Sequence, residues 1–376
     1  MPGKRRNKVR KVWRNVHISF GLVFGLLFVL VGLTGSLLVF YIEIDEWLNP
    51  EISFSTTEES WRSYEDMFQA LQTAHPTREH AWRLEVPSTQ GRMMTARYYK
   101  PKETADISFA PLMVWVNPHT VEIVSSRLWG SFPMTWLYNL HYRLLLDMTG
   151  KTILTIIGVC ILLSLGSGAY LWWPRKRNVK PAFTLKKSGG TKRVLYDLHK
   201  LNGIYALLFL FILVTTGTLL DFPWVKPMVN AMSELYEPPR TNSAPNHAST
   251  RISVDQAVAI GQARFPDAMV KWIETPDGPT GSYRINLWQK GEPSRRFPKT
   301  NVWIDQYTGH VLSIRDVKND SAGDTFLRWL HPLHSGEVLG LSGRILVCLS
   351  GLIPLILYIT GLTMWWRRLT RKTVSP

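Results

Sequence analysis

Four long stretches of the chain are apolar throughout and contain no Asp, Glu, Lys or Arg. They cover residues 18–42, 152–173, 201–220 and 345–366. About 20 apolar residues are enough for an α-helix to cross the hydrocarbon core of a bilayer. A helix also satisfies every backbone polar group within its own segment, as a lipid environment demands. The pattern therefore predicts a membrane α-helical protein with four transmembrane helices.

The two segments between these runs have a different pattern. Each begins with an acid-rich stretch of helical character, near 59–74 and near 253–264. Apolar and polar residues then alternate, which is typical of half-buried strands. The predicted strands are 93–99, 112–116, 282–288 and 301–304. Each segment is therefore predicted to form a small α+β domain.

An internal repeat relates the two halves of the chain. At an offset of 182 residues the matches are His17 with His199, Thr34 with Thr216, and Gly35 with Gly217. At an offset of 193 residues the matches are Trp136 with Trp329, His141 with His334, and Gly168 with Gly361. Such self-similarity indicates duplicated structure. The predicted architecture is a four-helix transmembrane bundle with two repeat-related α+β domains.

The formal net charge of +16 is confined to short segments next to the apolar runs. Residues 1–17, 174–200 and 367–376 together carry a net charge of +19, and the rest of the chain carries about −3. A nucleic-acid-binding protein would spread positive charge over a folded face, so nucleic acid is not expected as a partner. Basic residues flanking apolar helices mark the cytoplasmic side of a membrane. Both termini and the middle loop are therefore predicted to be cytoplasmic, in the inner membrane of a bacterium.

These observations divide the chain into nine predicted parts, with the lipid bilayer as an obligatory partner. The cytoplasmic parts are 1–17, 174–198 and 367–376. The helices are 18–42, 136–173 with its interface segment, 199–220, and 329–366 with its interface segment. The periplasmic domains are 43–135 and 221–328.

Four of the ten histidines occupy repeat-related positions at the ends of the predicted helices. His17 and His199 begin two helices on the cytoplasmic side, and His141 and His334 precede the other two on the periplasmic side. Ionisable residues at membrane depth are functional candidates, and helical bundles build cofactor sites from facing side chains. Each symmetric pair could ligate one metal centre. Imidazoles suit iron, copper, nickel or zinc.

Two haem b groups fit these pairs better than a bare metal ion does. No carboxylate accompanies either pair at ligand spacing, and Gly21, Gly25 and Gly203 follow the cytoplasmic histidines and leave room for a flat macrocycle. His331, three residues before His334, is an alternative outer ligand. The remaining histidines are predicted to lie on the surface: His75, His80, His119, His247 and His310.

The chain resembles the PepSY-associated transmembrane family. The second segment, from Ile252 to Ala268 and then from Val302 to Gly309, looks like a PepSY domain. The first segment looks like a degraded copy, with Asn117 in place of the acid and Val121 where glycine is expected. Within the family, the chain looks most like the members linked to siderophore-dependent iron uptake.

The resemblance implies an inner-membrane, haem-dependent ferric-siderophore reductase. Electrons would arrive from a cytoplasmic or quinol donor and leave to a periplasmic ferric siderophore, releasing Fe(II). Substrate would dock near the outer haem against aromatic side chains, which could equally be an ordinary interfacial belt. These candidates are Trp129, Phe132, Trp136 and Trp329. The alternatives are a reductase of free ferric chelate or quinone, and a non-enzymatic PepSY membrane protein that binds a periplasmic partner.

Overall fold

A computed structural model describes residues 2–53, 60–88, 91–174, 179–186, 190–244 and 250–372. The α-helices are α1 (Pro2–Leu38), α2 (Tyr41–Leu48), α3 (Tyr64–Ala74), α4 (Pro133–Arg143), α5 (Asp147–Trp172), α6 (Val179–Ala182), α7 (Gly190–Tyr205), α8 (Leu207–Asp221), α9 (Val225–Met232), α10 (Val254–Arg264), α11 (Ala322–Ser335), α12 (Gly340–Ser350) and α13 (Ile353–Lys372). The strands are β1 (Trp82–Glu85), β2 (Met94–Tyr98), β3 (Leu112–Val116), β4 (Ile123–Leu128), β5 (Met269–Glu274), β6 (Ser282–Trp288), β7 (Thr300–Asp305) and β8 (Val311–Arg315). These elements form two compact units.

The helical unit comprises residues 1–40, 138–225 and 330–376. Among the described residues of this unit, three helical stretches are long and apolar enough to cross a membrane: Asn7–Leu38, Asp147–Trp172 and Glu337–Thr370, the last of which includes the short break between α12 and α13. Helices α7 and α8 together pass the same test but are bent by 60° where they meet. The described part of the unit therefore has three candidate spans, and four if the bent pair is one span.

Small residues allow the helices of this unit to approach closely. Helix α1 packs against α5 and α13, α5 against α8, and α7 against α13. The Ser36 hydroxyl donates to the Cys348 carbonyl at 2.7 Å. A Cβ placed on Gly32 would lie 2.6 Å from the Gly351 carbonyl oxygen. Such contacts are typical of membrane helices, whose association depends on packing and interhelical hydrogen bonds.

The sheet unit comprises residues 41–137 and 226–329. All eight strands are antiparallel neighbours in the order β4-β3-β2-β1-β5-β6-β7-β8. The two repeats meet at the centre, where β1 pairs with β5 and Leu84 lies opposite Ile273. The two predicted α+β segments thus share one continuous sheet.

One face of this sheet forms the core of the unit. Residues that alternate along the strands are fully buried there, and α3 and α10 supply Met67, Phe68, Leu71, Val254 and Ala257. The first turns of the two helices also bind each other. The Asp255 carboxylate accepts from the Tyr64 and Glu65 backbone N–H groups at 3.0 and 2.9 Å, and the Glu65 carboxylate accepts from the Val254 N–H at 2.8 Å. Carboxylates are favoured at helix N-termini because the unpaired N–H groups there point outward.

The turn after the third strand of each repeat contains the positions at which the first copy departs from the PepSY pattern, Asn117 and Val121. Asp305 accepts from the Tyr307 and Thr308 N–H groups, and Asn117 accepts from those of His119 and Thr120. The turn then needs a left-handed residue, which is Gly309 (φ 71°) in the second copy and Val121 (φ 66°) in the first. A β-branched residue in this region is strained. Position 121 therefore has the left-handed backbone conformation that favours glycine, although the residue there is valine.

Candidate functional site

The four repeat-related histidines lie on four helices of the helical unit. His17 lies on α1, His199 on α7, His141 on α4 and His334 on α11. Their helices carry them into two separate pairs. The imidazole centres of His17 and His199 are 6.0 Å apart with their planes at 87°. Those of His141 and His334 are 6.2 Å apart with their planes at 44°. The pairs predicted from the repeat are the pairs that the structure brings together.

Each imidazole is held through its Nδ1 atom by a residue of a neighbouring helix. The backbone carbonyl acceptors are Ser164 for His17, Leu357 for His199 and Leu213 for His334; the acceptor for His141 is the Thr34 hydroxyl, which itself donates to the Leu30 carbonyl. A hydroxyl oxygen lies near the same nitrogen in every case: Ser167 at 3.3 Å, Thr360 at 3.0 Å, Thr34 at 3.0 Å and Thr216 at 3.2 Å. A carbonyl oxygen, like a hydroxyl that already donates elsewhere, can only accept here, so Nδ1 carries the proton. The lone pair of Nε2 is then free of that proton and suited to a metal.

A glycine on a neighbouring helix lies against each imidazole ring, and we call these four glycines, Gly168, Gly361, Gly35 and Gly217, the glycine seats. A Cβ on Gly168 would lie 3.0 Å from Cε1 of His17, and one on Gly361 would lie 3.3 Å from Cε1 of His199. The corresponding distances are 2.8 Å for Gly35 and His141 and 2.7 Å for Gly217 and His334. Side-chain carbons rarely approach this closely, so a larger residue at these positions would push the ring. The space is most restricted at Gly35 and Gly217, where the ring would have to move to admit a Cβ.

The spacing within each pair fits two imidazoles on one metal. Two bonds of about 2 Å from a metal to imidazole nitrogens, extended by about 1.1 Å to each ring centre, place the centres roughly 6 Å apart. Each pair supplies only two protein ligands. A metal held by such a pair would need its other donors from a cofactor, and a haem would supply them together with one-electron chemistry at iron.

The two pairs are separated along the bundle. Helix α1 carries His17 itself and, eighteen residues later, Gly35, the seat of His141. At 1.5 Å rise per residue this is about 27 Å along the helix. A hydrocarbon core is roughly 30 Å thick. The two pairs are therefore spaced by nearly one membrane thickness.

Sequence reasoning missed the seats and the Nδ1 partners. The repeat includes these positions: Thr34, Gly35, Thr216, Gly217, Gly168 and Gly361. The space for a cofactor, however, was predicted at Gly21, Gly25 and Gly203. Of those, only Gly21 borders open space, because a Cβ on Gly25 would meet Tyr358 at 2.6 Å and one on Gly203 would meet Leu357 at 3.7 Å. The available signal was the recurrence of Thr-Gly in both copies at the far end of the histidine helix. The ring opposite His141 is that of His334, and His331 is a half-buried neighbour on the same helix.

The aromatic candidates fall into two groups within the sheet unit. Trp129 and Phe132 are buried, and they pack against Phe109 and Trp115 respectively. Trp136 and Trp329 are 48% and 37% exposed. Only the second group has ring surface available to a ligand.

The prediction that the remaining histidines lie on the surface was wrong for His119. It is 6% exposed, because the Asn117 turn folds its side chain inward at the end of β3. His80 and His310 are exposed and His75 is half-buried, with its Nε2 3.1 Å from the Ser126 hydroxyl. His247 lies outside the described residues.

The comparisons with known proteins agree with this architecture. The sequence profile of the PepSY-associated TM region matches residues 14–368, which include all four histidines. The chain is therefore a membrane-spanning member of the PepSY-associated transmembrane family. It is also 28% identical over 171 residues to PA4219, an uncharacterized protein of Pseudomonas aeruginosa, and this match covers 42% of the chain. The chain spans less than half, 43%, of the length of that relative.

Proposed function

We propose that this chain is an inner-membrane electron conduit that holds two b-type haems and reduces periplasmic ferric siderophore. The single observation that carries the proposal is the pair of repeat-related histidine sites, with ring centres 6.0 and 6.2 Å apart and every Nδ1 anchored. His17 and His199 would hold one haem, and His141 and His334 the other. When bound, haem supplies reversible one-electron transfer at iron.

The protein's own residues would position and insulate the two centres. The carbonyl and hydroxyl partners of Nδ1 fix the ring orientation and make Nε2 a better donor. The glycine seats let the rings approach the neighbouring helices without displacement. One-electron transfer needs no general acid or base, so the chain has to contribute only ligands, burial and orientation.

Charge distribution sets the proposed direction of electron flow. The basic clusters at 1–17, 174–200 and 367–376 favour a cytoplasmic location for the ends next to His17 and His199. An electron from a cytoplasmic or quinol donor would enter there and leave from the His141/His334 end. The substrate iron gains that electron and becomes Fe(II), which hard oxygen chelators hold less tightly than Fe(III). Among the aromatic side chains predicted to contact the substrate, Trp136 and Trp329 are the exposed ones.

The test begins with the visible spectrum of the full chain purified in detergent. We expect a Soret band, and a sharp α band after dithionite reduction. His17→Ala and His334→Ala should each remove about half of the haem, because each breaks one pair. His310→Ala, an exposed histidine of the sheet unit, is the matched control and should leave the haem content unchanged.

The second stage measures substrate reduction. Dithionite-reduced protein, freed of excess reductant, should be reoxidised without oxygen by a ferric siderophore, with Fe(II) trapped by a ferrous chelator. Protein without haem absorption would rule out the conduit and favour a PepSY protein that binds a partner. Full haem content in both histidine variants would rule out the ligand assignment.

A further inference from the structure

The second face of the eight-stranded sheet carries charged and aromatic side chains in place of a core. Arg83 lies between the core residues Trp82 and Leu84 in β1, so its side chain points to this opposite face. Its guanidinium lies 4.3 Å from the ring centre of Trp272 and 4.9 Å from that of Tyr99. Arg83 and Arg284 both bind the Glu274 carboxylate. Two cations thus share one anion, which leaves positive charge at the junction of the two repeats.

One cavity lies at this junction, and a second cavity, lined by residues within 99–111 of the first repeat, shares two lining residues with it; we call the two together the groove. One has a volume of about 310 Å³ and the other of about 280 Å³, and both are lined by Tyr99 and Lys100. Their charged lining residues include four cations, Arg83, Lys100, Lys102 and Arg284, against two carboxylates, Glu274 and Asp277. Ligand sites are commonly clefts of about 300–1,000 Å³ with a few well-placed polar groups. The groove has this size and an excess of positive charge.

The groove also presents aromatic rings. Tyr99 is 38% exposed, and its ring centre lies 6.2 Å from that of Phe109, which lines the larger cavity. Aromatic rings pair favourably at centroid distances of about 4.5–7 Å. A flat ligand ring could therefore stack beside Tyr99 and Phe109. Its negative charge would lie near Lys100, which also binds the Asp277 carboxylate at 2.7 Å, and near Arg83, which also binds Glu274.

From this combination we infer that the groove binds an iron chelate built from anionic hydroxyaromatic rings, of the catecholate or phenolate type. The inference rests on the proposed function for its reason to bind iron chelates, and it adds the substrate class. A positively charged hydroxamate complex would be repelled by the cations of the groove, and it has no aromatic ring to stack beside Tyr99 and Phe109.

The test uses a probe that cannot be reduced. The full chain in detergent is titrated with the gallium(III) complex of 2,3-dihydroxybenzoate, and binding is followed by tryptophan fluorescence. The double variant Lys100→Gln/Lys102→Gln and the single variant Tyr99→Leu should each weaken binding at least tenfold. Lys290→Gln, an exposed lysine outside both cavities, should bind like the parent protein. Haem content and melting temperature of each variant check that it is folded.

Two competitors decide the chemistry of the ligand. Binding should fall as NaCl rises from 50 to 500 mM, since salt screens the attraction. A cationic gallium trihydroxamate should bind at least tenfold more weakly than the catecholate. Equal affinity for both complexes, displacement by inorganic phosphate at matching concentration, or unaltered binding in the groove variants would each overturn the inference.

The experiment separates this inference from the proposed function, because gallium binding requires no electron transfer. Binding of the gallium catecholate by protein that contains no haem would support the proposed groove and contradict the proposed electron conduit. Failure to bind it by protein that contains two haems would support the conduit and contradict the groove.

Discussion

At the scale of single residues, the site depends on the absence of side chains as much as on their presence. Each imidazole lies against a glycine, and at Gly35 and Gly217 the distance leaves no space for a methyl group unless the ring moves. Other glycines of the bundle, such as Gly32, only allow two helices to approach each other. The two kinds of glycine differ in what an added Cβ would contact: a histidine ring at the seats, and the backbone at the end of a neighbouring helix at Gly32.

Gly217→Ala should therefore damage one histidine site and leave the other intact. The new Cβ would lie 2.7 Å from Cε1 of His334, so the ring must shift off its Nδ1 partners. We expect haem content to fall from about two to about one per chain, as measured by the pyridine haemochrome assay.

Gly166→Ala is the matched control, because a Cβ there meets nothing within 4 Å and the residue is exposed. It adds the same methyl group to a predicted membrane helix and should retain both haems. If both variants lost haem equally, the seats would have no special role. If neither did, the histidine ring would be less constrained than the contact distance indicates.

The histidines themselves could be found from sequence, and their surroundings could not. The repeat offset is a property of the one-dimensional chain, so His17, His199, His141 and His334 emerged as pairs. Which glycine faces which ring depends on how neighbouring helices are rotated about their axes. That rotation is set by packing between segments far apart in sequence, and one sequence does not report it.

At the scale of elements, local patterns identified some strands and missed others. Strands β2, β3, β6 and β7 were predicted within about one residue at each end. The central strand β1 has only four residues, two of them charged. The edge strands β4 and β8 alternate without a strongly apolar face. The continuous sheet exists because β1 pairs with β5 across the repeat, and this long-range pairing leaves no local signature.

The turn after β7 gives a prediction about pH. Burial alone would raise the pKa of the Asp305 carboxyl, but the N–H groups of Thr308, Tyr307 and Ala244 outweigh burial and hold the pKa below its ordinary range. A group with a lowered folded-state pKa stabilises the fold above its unfolded pKa of about 3.9, and this contribution is lost as the pH falls through the folded pKa. Asp305→Asn should therefore lower the melting temperature at pH 7, and the difference from the parent should shrink below about pH 4.

Asn117 offers the matched control for this prediction. It caps the equivalent turn of the first repeat with an uncharged amide oxygen, which accepts from the His119 and Thr120 N–H groups. Asn117→Ala should lower the melting temperature by an amount that is similar at pH 7 and pH 3.5. A difference between Asp305→Asn and the parent that stayed constant over the same range would show that the charge on Asp305 is unimportant. Circular dichroism in detergent is a suitable measurement for both.

At the scale of the whole molecule, the chain passes between its two units four times. The helical unit takes residues 1–40, 138–225 and 330–376, and the sheet unit takes the two segments between them. The net charge of +16 divides along the same lines, because all three basic clusters belong to the helical unit. One duplicated sequence thus builds both a membrane bundle and a single sheet. Its charges favour one direction of insertion.

Cysteine labelling tests that direction, and the chain is well suited to it. Its two natural cysteines, Cys160 and Cys348, both lie in apolar runs, so Cys160→Ala/Cys348→Ala gives a background without thiols. Thr191→Cys would place a thiol in the middle basic cluster, and Lys318→Cys would place one on the sheet unit; both positions are exposed.

In intact bacterial spheroplasts, a membrane-impermeant maleimide should label the Lys318→Cys protein and leave the Thr191→Cys protein unlabelled until the membrane is permeabilised. The basic clusters resist translocation, and the sheet unit has no such cluster to retain it inside. The reverse pattern would place the His141/His334 pair at the cytoplasmic end and reverse the proposed electron flow, while leaving both histidine sites intact. Labelling of both positions from outside would contradict the single predicted crossing, residues 201–220, between Thr191 and Lys318. Orientation and ligation are thus independent claims, and each can fail without the other.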